Sequence, residues 1–169
     1  MIDFDKDVMP LKNKFYRLAL RLLHDDAEAQ DVTQETLIRL WTRCGALASA
    51  ADAEKLGFTI SYNLSRDSLA RAGRNYEQLE DIDENSVEDT SQSAVDTLAA
   101  ADRHNMLREM MGRLPVRQKA VMQLRDIEGK SYREIAAVMQ LSEEQVKVTL
   151  FRARQYLKSL YQKKQDNGL

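Results

Sequence analysis

The chain has 169 residues, 43% of them hydrophobic, with 25 Lys and Arg against 27 Asp and Glu for a formal charge of -2. That apolar content excludes a disordered chain, and a lone cysteine, Cys44, excludes an internal disulfide or a zinc cluster of the usual spacing. No run of about 18 apolar residues and no signal-like N-terminal stretch is present, which predicts a cytoplasmic protein with no stable membrane insertion.

Two Pro and six Gly among many helix-favouring residues predict an all-α chain. Val8, Leu11, Phe15, Leu18, Ala19, Leu22 and Leu23 recur at helical spacing, giving a first helix to about His24, with Pro10 in its first turn or at a kink. Asp25 or Asp26 is an N-cap candidate for a second helix to about Arg43. Projected at 100° per residue, Ala29, Val32, Thr33, Leu37 and Leu40 share one side of it. Asp31, Gln34, Glu35 and Ile38 share the other, where an isoleucine among polar groups suggests a protein partner or a single wet side chain. A third helix is predicted over 54–74, with Phe58, Ile60, Leu64 and Leu69 as buried anchors. Its polar face carries Asn63, Arg66, Asp67, Arg71 and Arg74 near Tyr62. Asn and Arg beside an aromatic suit base edges and phosphate, although a merely solvated face has the same composition.

Charge is partitioned along the chain. Residues 1–72 hold ten Lys/Arg and eleven Asp/Glu, 73–102 hold one Arg and nine acids, and 103–165 hold fourteen Lys/Arg and six acids. The stretch over 75–100 therefore reads as an acidic flexible linker, either a tether or a mimic of nucleic acid competing for a basic channel. It divides the chain into two small helical domains, 1–74 and 101–169. A basic domain behind an acidic spacer keeps the electrostatic footprint of a nucleic-acid binder despite the negative total.

In the second domain, Met106, Leu107, Met110 and Met111 recur at core spacing. Pro115 then opens a helix and Gly129 closes it. Ser131 with Glu134 and Ser142 with Gln145 form two capping boxes eleven residues apart. They predict a helix ending near Gln140 and another running through about Tyr161, a helix-turn-helix. Val146, Leu150, Ala153 and Leu157 form the inward stripe of the last helix. Glu144, Gln145, Val148, Phe151, Arg152 and Gln155 project outward, where apolar groups can meet thymine methyls and arginine can reach guanine or phosphate. Packing on another helix without DNA remains the alternative. His24 and His104 are isolated, Cys44 has no evident partner, and no phosphate loop or metal-ligand spacing occurs, so neither an enzyme nor a cofactor is expected.

Together, "AEAQDVTQETLIRLW" (27–41), the Asn63–Arg71 stretch, the acidic linker and "LPVRQKAVMQLRDIEGKSYREIAAVMQLSEEQVKVTLFRAR" (114–154) resemble the extracytoplasmic-function (ECF) sigma factors of bacterial RNA polymerase. The resemblance implies a transcription initiation factor with core RNA polymerase, promoter DNA and an anti-sigma factor as partners. It implies polymerase docking by Asp31, Gln34, Glu35 and Ile38. Minus-10 contacts are implied for Asn63, Asp67, Arg71 and Arg74, and minus-35 reading for Gln145, Lys147, Val148, Thr149, Phe151, Arg152 and Arg154. Departures from the family pattern are Leu56-Gly57 where a Trp-Leu pair is usual, Glu144-Gln145 for Gly-Thr, and Val148-Thr149 for Ser-Arg. The loop over 45–54 also lacks the family's aromatics. A dimeric helix-turn-helix regulator and an interaction protein that does not bind DNA are the readings the residues leave open beside it.

Overall fold

The computed structural model describes residues 1–73 and 100–166, and the regular structure among the described residues is all helical. A π-helical turn at Phe4–Val8 and a 3-10 turn at Met9–Leu11, which takes up Pro10, lead into α1 (Lys12–Leu23). Then follow α2 (Asp26–Arg43), α3 (Ala50–Arg71), α4 (Ala100–Met111), α5 (Val116–Met122), α6 (Tyr132–Met139) and α7 (Glu143–Asp166).

The helix ends follow local chemistry. The Asp25 carboxylate accepts from the Glu28 N–H and starts α2. Ser49 does the same with the Asp52 N–H, so α3 begins at Ala50, ahead of the predicted 54, because the cap lies upstream of the first apolar anchor. The helix stops at Arg71. Arg74 and residues 75–99 of the predicted linker lie outside the described residues. Ser142 and Gln145 form a reciprocal box, the Gln145 N–H donating to Ser142 Oγ and the Ser142 N–H to Gln145 Oε1. Ser131 Oγ accepts from the Glu134 N–H and donates to that residue's carboxylate. Pro115 is the N-cap of α5, whose end passes into a π-helical turn over Gln123–Ile127 before Gly129 at φ +71.

The first three helices pack mutually, and α5, α6 and α7 form the helix-turn-helix with α4 laid on α7. Between α1 and α3 the approach is unusually close: a Cβ on Gly57 would lie 2.1 Å from Phe15 Cζ. Phe15 stands edge-on to Phe58 with ring centroids 5.5 Å apart, and Ser61 Oγ donates to its carbonyl at 3.1 Å. The expected anchors Phe58, Ile60 and Leu69 are buried and Leu64 is half-buried. Tyr62, expected near the polar face, is buried, with the Arg66 guanidinium 5.3 Å from its ring centre.

The two units are closed on each other, α1 against α5 and α3 against α6. A single apolar cluster runs through both, and its seam is edged by polar groups. Arg17 grips Glu128 through two bonds of 2.9 and 2.7 Å, and Glu128 is almost wholly enclosed. Arg21 donates to Gln123 Oε1 at 3.0 Å. Glu54 accepts from Lys14 at 2.9 Å and Lys130 at 2.8 Å.

Candidate functional site

Helix α2 presents a mixed face. Ala29, Val32, Thr33, Thr36 and Leu40 turn inward, the two threonine hydroxyls donating to the carbonyls one turn back, so their burial leaves no orphan donor. Asp31 and Gln34 are exposed, Glu35 is held by Arg39 at 3.0 Å, and Ile38 is 50% exposed. All four predicted docking residues thus share one open surface. The sequence reading omitted Trp41, which is 63% exposed and three residues beyond Ile38, hence on the same side of the helix. Phe4 props its ring edge-on at 5.1 Å. A helix paired only with itself has no reason to leave Ile38 and Trp41 wet side by side, and such adjoining apolar exposure marks an interaction surface. Gln34 also reaches the rim of an open groove of about 460 Å³ between α1 and α2, shared with Lys12, Asn13, Tyr16 and Gln30. The Tyr16 hydroxyl donates to Asp26 there, which raises its pKa above the ordinary phenol value.

On α3, Asn63, Asp67 and Arg71 are all exposed. Their spacing of four residues places them along one side of the helix, with the half-buried Arg66 near them. These groups can offer amide, carboxylate and guanidinium chemistry to single-stranded bases and phosphate.

The recognition helix departs from its projection. Lys147, Phe151 and Arg152 are half-buried and Gln145 is committed to its capping box. Val148 is 1% exposed and Thr149 is fully enclosed, its hydroxyl donating to the Gln145 carbonyl at 2.7 Å. Neither can touch a base in this arrangement, which corrects the expectation that they read DNA here. Thr149 falls next to the inward stripe of Val146, Leu150 and Ala153. Val148 lies on the opposite side of α7, so its enclosure means that a second surface covers that side, which a projection about one helix axis cannot show. Arg154 pairs with Asp126 at 2.7 Å and is only 18% exposed, a tie within the helix-turn-helix rather than a free phosphate ligand. Lys147 lies 5.6 Å and Arg125 4.4 Å from the Tyr132 ring, gathering cations at the mouth of the motif.

Electrostatics at the seam follows burial. Burial pushes the Glu54 carboxyl up, but hydrogen bonds and charge from Lys130 and Lys14 hold it below its ordinary value. The hydrogen bond that Arg17 donates to Glu128 raises Arg17 further, whereas burial lowers Arg21, with Arg108 adding repulsion. No described group of His, Cys, Asp and Glu could hold a metal ion, and no described helix is long and apolar enough to cross a membrane.

A family model for sigma-70 region 2 covers residues 8–75 and one for sigma-70 region 4 covers 104–157. The chain is 31% identical over 136 residues to the ECF RNA polymerase sigma factor SigL of Mycobacterium tuberculosis, covering 80% of this chain and 75% of that protein. It is 28% identical over 159 residues to the RNA polymerase sigma-H factor of Pseudomonas aeruginosa, covering 90% and 82%. Its fold resembles the sigma factor RpoE of Bartonella quintana, solved in complex with the anti-sigma factor NepR, with TM-score 0.71, 22% identity, and 95% and 97% of the two chains covered. The chain therefore belongs to the ECF group of sigma-70 factors, which direct RNA polymerase to specific promoters.

Proposed function

We propose that the two units divide promoter recognition between them. The N-terminal domain, residues 1–74, docks core polymerase through Asp31, Gln34, Glu35 and Ile38. It captures the unpaired minus-10 strand along Asn63, Asp67, Arg71 and Arg74. The C-terminal domain, residues 101–169, reads the minus-35 element as duplex through Lys147, Phe151 and Arg152, and the acidic stretch over 75–100 tethers the two. Linking two weak modules raises the effective concentration of the second contact without new surface. Promoter opening draws on bases held after they leave the stack.

The observation that carries the docking assignment is the α2 surface, where carboxylate, amide and two exposed apolar side chains adjoin on a unit matching sigma-70 region 2. The protein works in the cytoplasm as an initiation factor, without catalysis or a cofactor of its own. An anti-sigma factor holding the closed form is the partner that its likeness to a sigma factor captured in such a complex supports. The test is the affinity for core polymerase of the double variant Asp31→Ala, Glu35→Ala. Weakened binding with unchanged far-UV circular dichroism is expected, and wild-type binding would refute the assignment.

A further inference from the structure

Helix α1 ends on His24, whose backbone takes the left-handed conformation at φ +53. That geometry carries the imidazole across the seam to α5, where Nε2 lies 2.9 Å from Lys119 Nζ. Lys119 is 3% exposed. An ammonium has only donors, so this bond requires a lone pair on Nε2 and hence a neutral imidazole. The charges that act on the pair are cationic, although Asp25 and Asp26 follow His24 directly in the chain and face solvent. Arg21 comes from the preceding turn of α1 and acts on both His24 and Lys119. Arg108 comes from α4 and acts on Arg21. From the π-helical turn after α5 comes only the neutral Gln123, bonded to Arg21. Of the seam carboxylates, Glu128 is committed to Arg17 and Gln123, and Glu54 to Lys14 and Lys130. Past α4, the ring edge meets the backbone: a Cβ on Gly112 would lie 3.4 Å from His24 Cε1.

We propose that His24 is a proton-operated latch on the closed form, whose protonation separates the N-terminal helices from the helix-turn-helix. The added proton takes away the acceptor that Lys119 uses and leaves two cations 2.9 Å apart, with Arg21 beside them and no carboxylate between. Lys119 cannot reach water without parting α1 from α5, whereas His24, exposed at the rim of the seam, can turn its charge outward and leave the enclosed ammonium without its acceptor.

The sign follows from where the proton binds more readily. Opened into water, His24 has its ordinary value of 6.5. In the closed form, burial first, then Lys119 and Arg21, hold it lower. As pH falls through 6.5 the open form takes up a proton that the closed form resists, so closure weakens by up to about tenfold per unit until the closed form itself protonates. Lys119, pushed by burial and Arg21 from 10.5 to about 8, acts in the same direction at alkaline pH, and closure tightens as pH rises from 8 towards 10. Glu54 is held below its ordinary 4.5, so the acidic window belongs to His24 among the groups described at the seam.

Small-angle scattering of the full chain between pH 7.5 and 5.5 at fixed ionic strength, with far-UV circular dichroism in parallel, tests the latch. A fall in the closed-to-open ratio of up to about tenfold is expected across this range, at constant helicity. His24→Asn keeps an acceptor and tolerates the left-handed backbone, so it should stay closed throughout. His24→Gln serves if the shorter side chain fails to fold. Lys119→Met should blunt the response by removing the opposing charge. A wild type whose dimensions do not change, an expansion accompanied by helix loss, or a His24→Asn response equal to that of the wild type would each overturn the proposal.

Discussion

Gly57→Ala adds a single methyl at the α1–α3 crossing and should destabilise the protein. The new Cβ would lie 2.1, 2.4 and 2.7 Å from three carbons of the Phe15 ring, whereas carbon atoms in favourable contact stand about 3.5–4.0 Å apart. Phe15 has no exposed surface, its ring is fixed against Phe58 and its carbonyl is tied to Ser61, so there is no empty side to move into. Overpacking of this kind costs about 1–3 kcal/mol, while the gain in helix propensity from Gly to Ala returns about 1 kcal/mol. Packing should win, for a net loss of up to about 2 kcal/mol and a fall in Tm of up to about 8 °C for a chain of this size. Urea unfolding followed by circular dichroism measures the difference. Phe15→Leu in the same background should recover part of it, with a coupling of at least about 0.5 kcal/mol. Equal or greater stability for Gly57→Ala would refute the close-crossing argument.

Other consequences follow from the same structure. Replacing Ile38 or Trp41 with Ala should weaken core polymerase binding by at least about 1 kcal/mol each, without loss of Tm, as for central interface side chains; titration against labelled core measures it. Arg152→Ala should lower promoter affinity within the holoenzyme and reduce its salt slope by about one phosphate. Arg154→Ala should instead lower the Tm, because it breaks the tie to Asp126. Glu54→Gln removes a carboxylate whose pKa is depressed by two lysines. The stabilisation from that depression is present above about pH 4.5 and is lost as pH falls through the lower folded value. Acid unfolding of the variant should therefore be less steep than that of the wild type.

Much of the fold was legible because it is written locally. Asp25, Ser131 with Glu134, and Ser142 with Gln145 sit at fixed offsets from the turns they close, and all act as caps. The α2 stripe was legible because one helix axis orders it, and Ile38 stood out against its polar neighbours. Val148 was misjudged for the complementary reason: projection orders side chains about their own helix and says nothing of what comes to rest against it. The seam was equally hidden. Arg17 and Glu128, or His24 and Lys119, are separated by about a hundred positions, and neither member carries a local sign of the other. Gly57 read as a departure from the family's pattern, while its reason, the Phe15 ring, lay on another helix.

Run-off transcription from fragmented host DNA, with core polymerase alone and with this protein added, tests the central claim most directly. Discrete starts that appear only when the protein is present, and that disappear with the Asp31→Ala, Glu35→Ala variant, are predicted. Failure to stimulate any start, or tight sequence-specific duplex binding by the protein alone as a dimer, would contradict the account.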